Sequence, residues 1–344
     1  MSRPANNRTP STEGDFCPLP LLGNPHVQTL LAYVLTGPSF AHPTTERHVR
    51  LPDGDSLVLH DSVPGGWQLG ERIALIVHGL GGSHRSGHIQ RQALALLRNG
   101  VRVVRVDLRT AGRGIALARR PYHAGCSDDL RAAAREVHRW SPQSPLALVG
   151  LSLGGNIVLK LAGEAADDPM PGLDRVVAIG PPIDVGRCAA LLGSPRNRVY
   201  EQFYVWSLVG HAKRHRRYFP DLPATRFPRP MTVRLFDDLY TAPRCGFADA
   251  LDYYRRASSL PLIPRISVPA LILAARDDPF IAAEPFEQLR APAHVRVRIL
   301  PHGGHVGFLG WDGAGGIRWG DHRLIEWAVH PIAANGDRPL PQKG

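Results

Sequence analysis

Lysine is almost missing from this chain of 344 residues: only Lys160, Lys213 and Lys343 occur, and every other base is an arginine. The chain is nonetheless basic, with 41 Lys+Arg against 30 Asp+Glu and a formal net charge of +11. Such an excess draws proteins toward nucleic acid, anionic lipid or acidic substrates. Here no block of five or more bases occurs, and Lys213-Arg214-His215-Arg216-Arg217 is the densest stretch, so the charge reads as a solvated arginine-rich surface. Cysteine is scarce too. Cys17, Cys126, Cys188 and Cys245 lie far apart with no Cys-x-x-Cys, and a chain of this length needs no disulfide framework. Long apolar runs are lacking: Leu30 to Leu35 falls far short of the ~20 residues a bilayer demands. Residues 1–15 carry no apolar secretory core, so the expectation is a soluble, cytoplasmic protein. There is no internal repeat, no low-complexity tract and no Walker A sequence. Gly79-Leu80-Gly81 is not a dinucleotide loop, because the third glycine of Gly-x-Gly-x-x-Gly would fall at His84.

What remains is globular in composition, with 43% hydrophobic and 21% charged residues. Asp53-Gly54 separates two alternating runs and predicts a hairpin over 47–63. Continuous apolar strands are then predicted at 72–78, 101–107, 145–152 and 174–180. Helical spacing lies between them: Ile89, Ala93, Leu96 and Leu97 end at Asn99-Gly100, Ser127-Asp128-Asp129 opens another helix, and 154–164 a third. Strands of this kind alternating with helices imply an α/β protein with a mostly parallel sheet covered on both faces. The alternation stops at 185–265, a stretch rich in Arg, Tyr, Phe and Pro, and resumes with strands at 270–275 and 295–300 and a helix at 321–330. The domain reading is an N-terminal arm (1–45, extended on the core), a first core part (46–184), a cap or lid insertion (185–265), a second core part (266–330) and a loose tail (331–344).

The chemistry-bearing signals fall at strand ends. Gly150-Leu151-Ser152-Leu153-Gly154 sits where a strand meets a helix, and a serine on that sharp turn needs small neighbours. A serine nucleophile needs a base, and His305 follows the last strand, with His302 the weaker candidate. The orienting acid should lie between them in the chain. Asp277-Asp278 does, and Asp278 is preferred because it directly precedes the apolar run Pro279-Phe280-Ile281; Asp277 stays open. His78-Gly79-Leu80-Gly81-Gly82 follows an earlier strand, where such folds place one oxyanion donor, the other being the residue after the nucleophile. The candidate donors are therefore the amides of Leu80 and Leu153.

These residues resemble the α/β-hydrolase superfamily. Asn24-Pro25-His26-Val27-Gln28-Thr29, Tyr122-His123-Ala124-Gly125 and Phe236-Asp237-Asp238 with Thr241-Ala242-Pro243 make the match closer. With Asp252-Tyr253-Tyr254 and Gly303-Gly304-His305-Val306-Gly307-Phe308, they resemble the YheT-type branch of esterases, related to lipase-like abhydrolase-domain proteins. The resemblance covers roughly residues 16–330. It implies cleavage of carboxylic esters with short- to medium-chain acyl groups, no cofactor and no metal, and a triad of Ser152, Asp278 and His305. The expected partner is a small-molecule or lipid-like ester. No specific nucleic acid is expected; peripheral contact with an anionic membrane is left open, as is the oligomeric state. Thioester, phospholipid or amide cleavage, acyl transfer to an alcohol, and a non-catalytic basic binding module are the alternatives. One departure is the loop 109–120 (RTAGRGIALARR), richer in arginine than similar loops, which bears on substrate charge.

Other features read as structural. His84/His88 and His211/His215 have metal-ligand spacing but no third ligand, and read as surface histidines. Cys126 reads as a small buried hydrophobe, and Asp237-Asp238 as a salt-bridged loop. His26 and the 236–258 segment read as packing of the arm and cap. Phe203, Tyr204, Trp206, Phe219 and Phe227 are candidates for an acyl pocket.

Overall fold

The computed structural model describes residues 16–35, 37 and 39–330; the first fifteen residues of the arm and the 331–344 tail lie outside them. Eight strands form one sheet: β1 Thr45–Arg50, β2 Ser56–Ser62, β3 Ile73–Val77, β4 Arg102–Asp107, β5 Leu146–Leu151, β6 Leu173–Ile179, β7 Ala270–Ala275 and β8 Val295–Leu300. Their order is β1-β2-β4-β3-β5-β6-β7-β8. Only the β1/β2 and β2/β4 pairs are antiparallel. The remaining pairs are parallel, as expected for strands buried on both faces.

Alternate residues of the strands β3 to β7 feed two separate cores. Leu75, Val77 and Leu148 face one side, with Leu130, Ala134 and Val137 of helix α3 (Ser127–Trp140) and Ile157 and Leu161 of α4 (Leu153–Glu164). Ala74, Ile76 and Val149 face the other, with Ile89, Ala93 and Leu96 of α2 (Gly87–Arg98) and Leu324 and Ala328 of α11 (Trp319–Val329). Between β6 and β7 the chain leaves the sheet for five helices: α5 Val185–Leu192, α6 Arg198–Tyr218, α7 Val233–Phe236, α8 Ala242–Cys245 and α9 Ala250–Ala257. The short α10 is Glu284–Glu287. No helix among the described residues is long and apolar enough to cross a membrane.

The N-terminal arm departs from the extended reading. Residues Pro25–Val34 form a helix, α1. Its start is locally encoded: Asn24 caps it, the side-chain oxygen accepting from the His26 and Val27 amides, and Pro25 occupies the first turn where its missing N–H costs nothing. That capping signal outweighs the short apolar run that suggested an arm.

Candidate active site

The edge of the sheet at the carboxyl ends of the parallel strands gathers the predicted residues. Ser152 follows β5 directly and opens α4, with φ 52° and ψ −124°, a region side chains rarely adopt. Its amide donates to the Ile179 carbonyl at 2.8 Å, which fixes the turn to β6. The turn closes only because its neighbours lack side chains. A Cβ on Gly154 would stand 2.3 Å from the Val77 carbonyl oxygen, and one on Gly150 would stand 2.3 Å from that of Gly154.

His305 arrives on the loop after β8. Its Nε2 lies 2.9 Å from Ser152 Oγ, and its Nδ1 lies 2.8 Å from Asp278 Oδ2. A carboxylate only accepts, so Nδ1 carries the donated proton and Nε2 is left to accept from the serine hydroxyl. The other oxygen of Asp278 accepts from the Phe280 and Ile281 amides at 2.8 and 3.0 Å. The apolar run after the acid thus folds back as the turn that holds the carboxylate. Phe280 also sets its ring edgewise against the His305 imidazole, centroids 4.8 Å apart. Asp277 points elsewhere: it accepts from the Gly304 amide at 2.9 Å and lies 3.3 Å from His302 Nδ1.

Leu80 and Ser152 line the same cavity, and the Leu80 amide donates to no protein group among the described residues. Leu153 is the first residue of α4, where an amide has no partner within the helix. The glycine loop before α2 is held by Tyr122, whose hydroxyl accepts from the Gly81 amide at 2.7 Å; burial pushes that phenol up to about 12. Burial lowers the proton affinity of the His78 imidazole.

The cavity beside Ser152 has a volume of about 480 Å³. Its walls are mostly apolar, with Val185, Leu192, Tyr204, Leu208, Phe236 and Phe280 among them, while His211, Arg214 and Asp237 add polar groups. Of the aromatics singled out by sequence, Tyr204 and Trp206 line it. Phe227 instead stacks on Phe236, Phe203 is 50% exposed, and Phe219 packs on His215.

A conserved-fold model describing the "alpha/beta hydrolase fold" matches residues 75–310. This chain belongs to the α/β-hydrolase family. It is 32% identical over 329 residues, 94% of this chain and 96% of the relative, to "Putative esterase YheT" of Escherichia coli (strain K12), which sets it on the YheT-type branch. It is also 28% identical over 207 residues to a monoacylglycerol lipase of Saccharomyces cerevisiae, covering 58% of this chain and 45% of that one. Among solved structures, an esterase of Pyrobaculum calidifontis has the same fold, with a TM-score of 0.57 at 19% identity, covering 88% of this chain and 89% of that one.

Several site features of this α/β hydrolase escape a sequence reading. The α1 motif is not mere packing. Thr29 Oγ accepts from the His305 amide at 2.9 Å, and Gln28 bonds both backbone groups of Leu309, at 3.0 and 2.8 Å. Asn156 ties the serine turn to its surroundings through Ala124, Ala257 and Ser259. Asp237 is not part of a salt-bridged loop. It is buried in a single π turn, Asp237–Thr241, at the cavity wall, where it accepts from Thr241 and Tyr254, both at 2.7 Å. Burial pushes its carboxyl up to about 6.

The arginine-rich loop also reads differently once folded. Arg109 is buried and paired with Asp53, Asp55 and Asp129 at 2.6–2.7 Å; Arg113 pairs with Glu46 and Arg119 with Asp221. Arg109 thus serves a buried ion-pair cluster, while the Arg113 and Arg119 pairs lie at the surface. The histidine pairs are not surface groups either: His84 and His215 are buried, and His211 bonds Thr110 at 3.0 Å. Cys126 is buried, and burial raises its thiol well above the ordinary range.

Proposed function

We propose that this protein is a serine hydrolase that cleaves carboxylic esters with short- to medium-chain acyl groups through an acyl-enzyme. The reading rests on the unbroken chain of contacts from Asp278 through His305 to Ser152, opening on an apolar cavity beside the unpartnered Leu80 amide. His305 takes the Ser152 proton as Ser152 attacks the ester carbonyl. The Leu80 and Leu153 amides hold the oxyanion; in other hydrolases loss of one such donor costs ~10²–10³ in rate. The alcohol leaves with the proton from His305, and water repeats the sequence on the acyl-enzyme. Asp278 holds the imidazole tautomer and steadies the imidazolium. The helices of 185–265 act as the cap over the acyl pocket, and no cofactor is required.

The test is hydrolysis of a p-nitrophenyl ester series from acetate to palmitate by wild type and Ser152→Ala. The expected result is a maximum at one chain length and a loss of ~10⁶ in kcat for the variant. Turnover that survives in Ser152→Ala refutes the reading.

A lipid-like ester taken from an anionic membrane is favoured by one feature of α6. Val199, Phe203 and Trp206 form an exposed apolar stripe, 83%, 50% and 76% accessible, and the same helical face continues into Lys213 and Arg217. Sedimentation with anionic vesicles should capture the wild type at low salt and release Trp206→Ser. Equal recovery with neutral vesicles refutes the electrostatic part.

A further inference from the structure

A second cleft lies on the far side of the glycine loop and shares no lining residue with the ester cavity. The antiparallel register sets His60 of β2 opposite Arg105 of β4, so both side chains emerge together on the sheet face that α2 covers farther along. There the stretch from Phe40 to Thr44 lies beside them, leaving an open cleft of about 380 Å³. We propose that this cleft is a binding site for a phosphoryl oxyanion, carried by inorganic phosphate or by a small phosphate monoester.

The argument begins with Arg105. Its side chain is 3% exposed, and no carboxylate among the described residues pairs with it. Two of its nitrogens donate to neutral oxygens, the His84 carbonyl at 3.3 Å and Thr44 Oγ at 3.2 Å. Its Nε is buried with no partner at all, and the Phe40 ring covers the guanidinium at 3.6 Å. A buried guanidinium so poorly satisfied is unusual, because leaving a charged donor unpaired in a low-dielectric site is costly. Desolvation accordingly pulls it down to about 10.

The nearby Asp107 does not neutralise Arg105 by contact. Its oxygens already accept from the His84 amide at 2.7 Å, the Arg113 amide at 2.9 Å, His84 Nδ1 at 2.7 Å and His60 Nε2 at 3.0 Å. Both imidazoles spend one N–H on this carboxylate, and their rings stack at 3.5 Å. An imidazole that spends its one N–H on this carboxylate keeps a lone pair on the other nitrogen. His60 Nδ1 and His84 Nε2 bond to no described protein group, and both rings line the cleft, where they can accept from the hydroxyl of a singly protonated phosphoryl group. Arg85 and Arg113 line it as well, against a single acid, Glu46, which is occupied by Arg113 and His48. Arg85 is exposed and makes no ion pair among the described residues.

His60, His84 and Asp107 also bring three donor atoms within 4.8 Å of one another, a set that by count suits a divalent cation. The surroundings argue against it. Asp107 has four hydrogen bonds to give up first, and the cation would lie among Arg85, Arg105 and Arg113. An oxyanion leaves the Asp107 hydrogen bonds in place and meets the guanidinium groups of Arg85 and Arg105, which no carboxylate among the described residues pairs.

The test is calorimetric titration and thermal unfolding of the full chain at constant ionic strength, with chloride replaced by inorganic phosphate in one arm and glycerol 3-phosphate in another. The wild type should bind one equivalent in at least one arm, and the tighter arm identifies the source of the phosphoryl group. Arg85→Glu, at an exposed position, should weaken binding by about ten- to a hundredfold with ester turnover unchanged. Arg105→Met should abolish binding. Heat and thermal shift no greater than with chloride overturn the proposal. So does binding equal in both variants and wild type, which marks adventitious association. Stabilisation by Zn²⁺ alone, lost in His84→Ala, assigns the cluster to a metal instead and overturns it too.

Discussion

Replacing Gln28 by leucine tests how α1 governs the histidine loop. That loop is strained along its length: Gly303 and Gly304 have φ of 148° and 56°, and Val306 and Phe308, which carry side chains, have φ of 56° and 41°. Such residues cost of order 1–3 kcal/mol each and persist only where the surroundings impose them. Here the constraint is α1. Its backbone lies so close that a Cβ on Gly304 would fall 2.4 Å from the Pro25 carbonyl oxygen. Gln28, fully buried, donates to the Leu22 and Leu309 carbonyls at 2.9 and 3.0 Å and accepts from the Leu309 amide at 2.8 Å. In Gln28→Leu the Leu309 carbonyl keeps the Leu19 amide, at 3.2 Å, but the buried Leu309 N–H loses its sole partner. One orphaned donor costs about 1–3 kcal/mol and each lost bond about 1. The expected destabilisation is therefore about 3 kcal/mol in urea unfolding. The kinetic effect should fall on kcat. A relaxed loop moves His305 Nε2 off its 2.9 Å contact with Ser152, and misplacement of about 1 Å costs ~10²-fold. KM for a p-nitrophenyl ester should hardly change, because the cavity walls are untouched. A variant whose unfolding free energy matches wild type within the ~10–15% error of such extrapolations, with unchanged kcat, refutes the reasoning.

Two further perturbations follow from buried charge. The Asp237 carboxyl is raised from 3.8 to about 6, so the folded state holds its proton more tightly than the unfolded chain. Its contribution to stability is present below pH 4 and lost as pH rises through 6. Asp237→Asn should remove that loss, making the variant more stable than wild type at pH 8 by about 1–3 kcal/mol and no more stable at pH 4; a pH-independent difference in unfolding free energy refutes this. Arg109→Met should leave Asp53, Asp55 and Asp129 mutually repelling without their cation. Breaking a buried pair costs ~3–5 kcal/mol, and urea unfolding should show a loss in that range, with Arg109→Lys in between because an ammonium cannot match the fork; a loss under about 1 kcal/mol, the scale of surface pairs, contradicts the internal role.

The local code of this chain is legible without coordinates. Apolar runs such as 73–77 and 146–151 are strands because they are buried on both faces, and helices such as α3 begin where the acids favour a first turn. The Gly-x-Ser-x-Gly turn is readable because steric demand is local: a side chain at 150 or 154 would strike backbone. The chain order of Ser152, Asp278 and His305 is readable because each follows a strand, and the sheet delivers strand ends to one edge.

What the sequence hid depends on partners far away along the chain. Gln28 meets Leu309 across 281 positions, and Arg109 meets Asp53 across 56, so neither role leaves a periodic trace. Helical spacing alone placed His84 on the surface, whereas tertiary packing buries it against Asp107, 23 positions on. Asp237 has the same adjacent acid in sequence as any solvated pair; only folding buries it against Thr241 and Tyr254, which dries its surroundings and raises its proton affinity. The strands, the serine turn and the chain order of Ser152, Asp278 and His305 are therefore written locally, because they rest on sterics and burial patterns within a few residues. Which charges are neutralised, which polar groups hold the histidine loop and which arginine is left unpaired emerge only on folding, because desolvation and hydrogen bonding depend on neighbours brought together from distant parts of the chain.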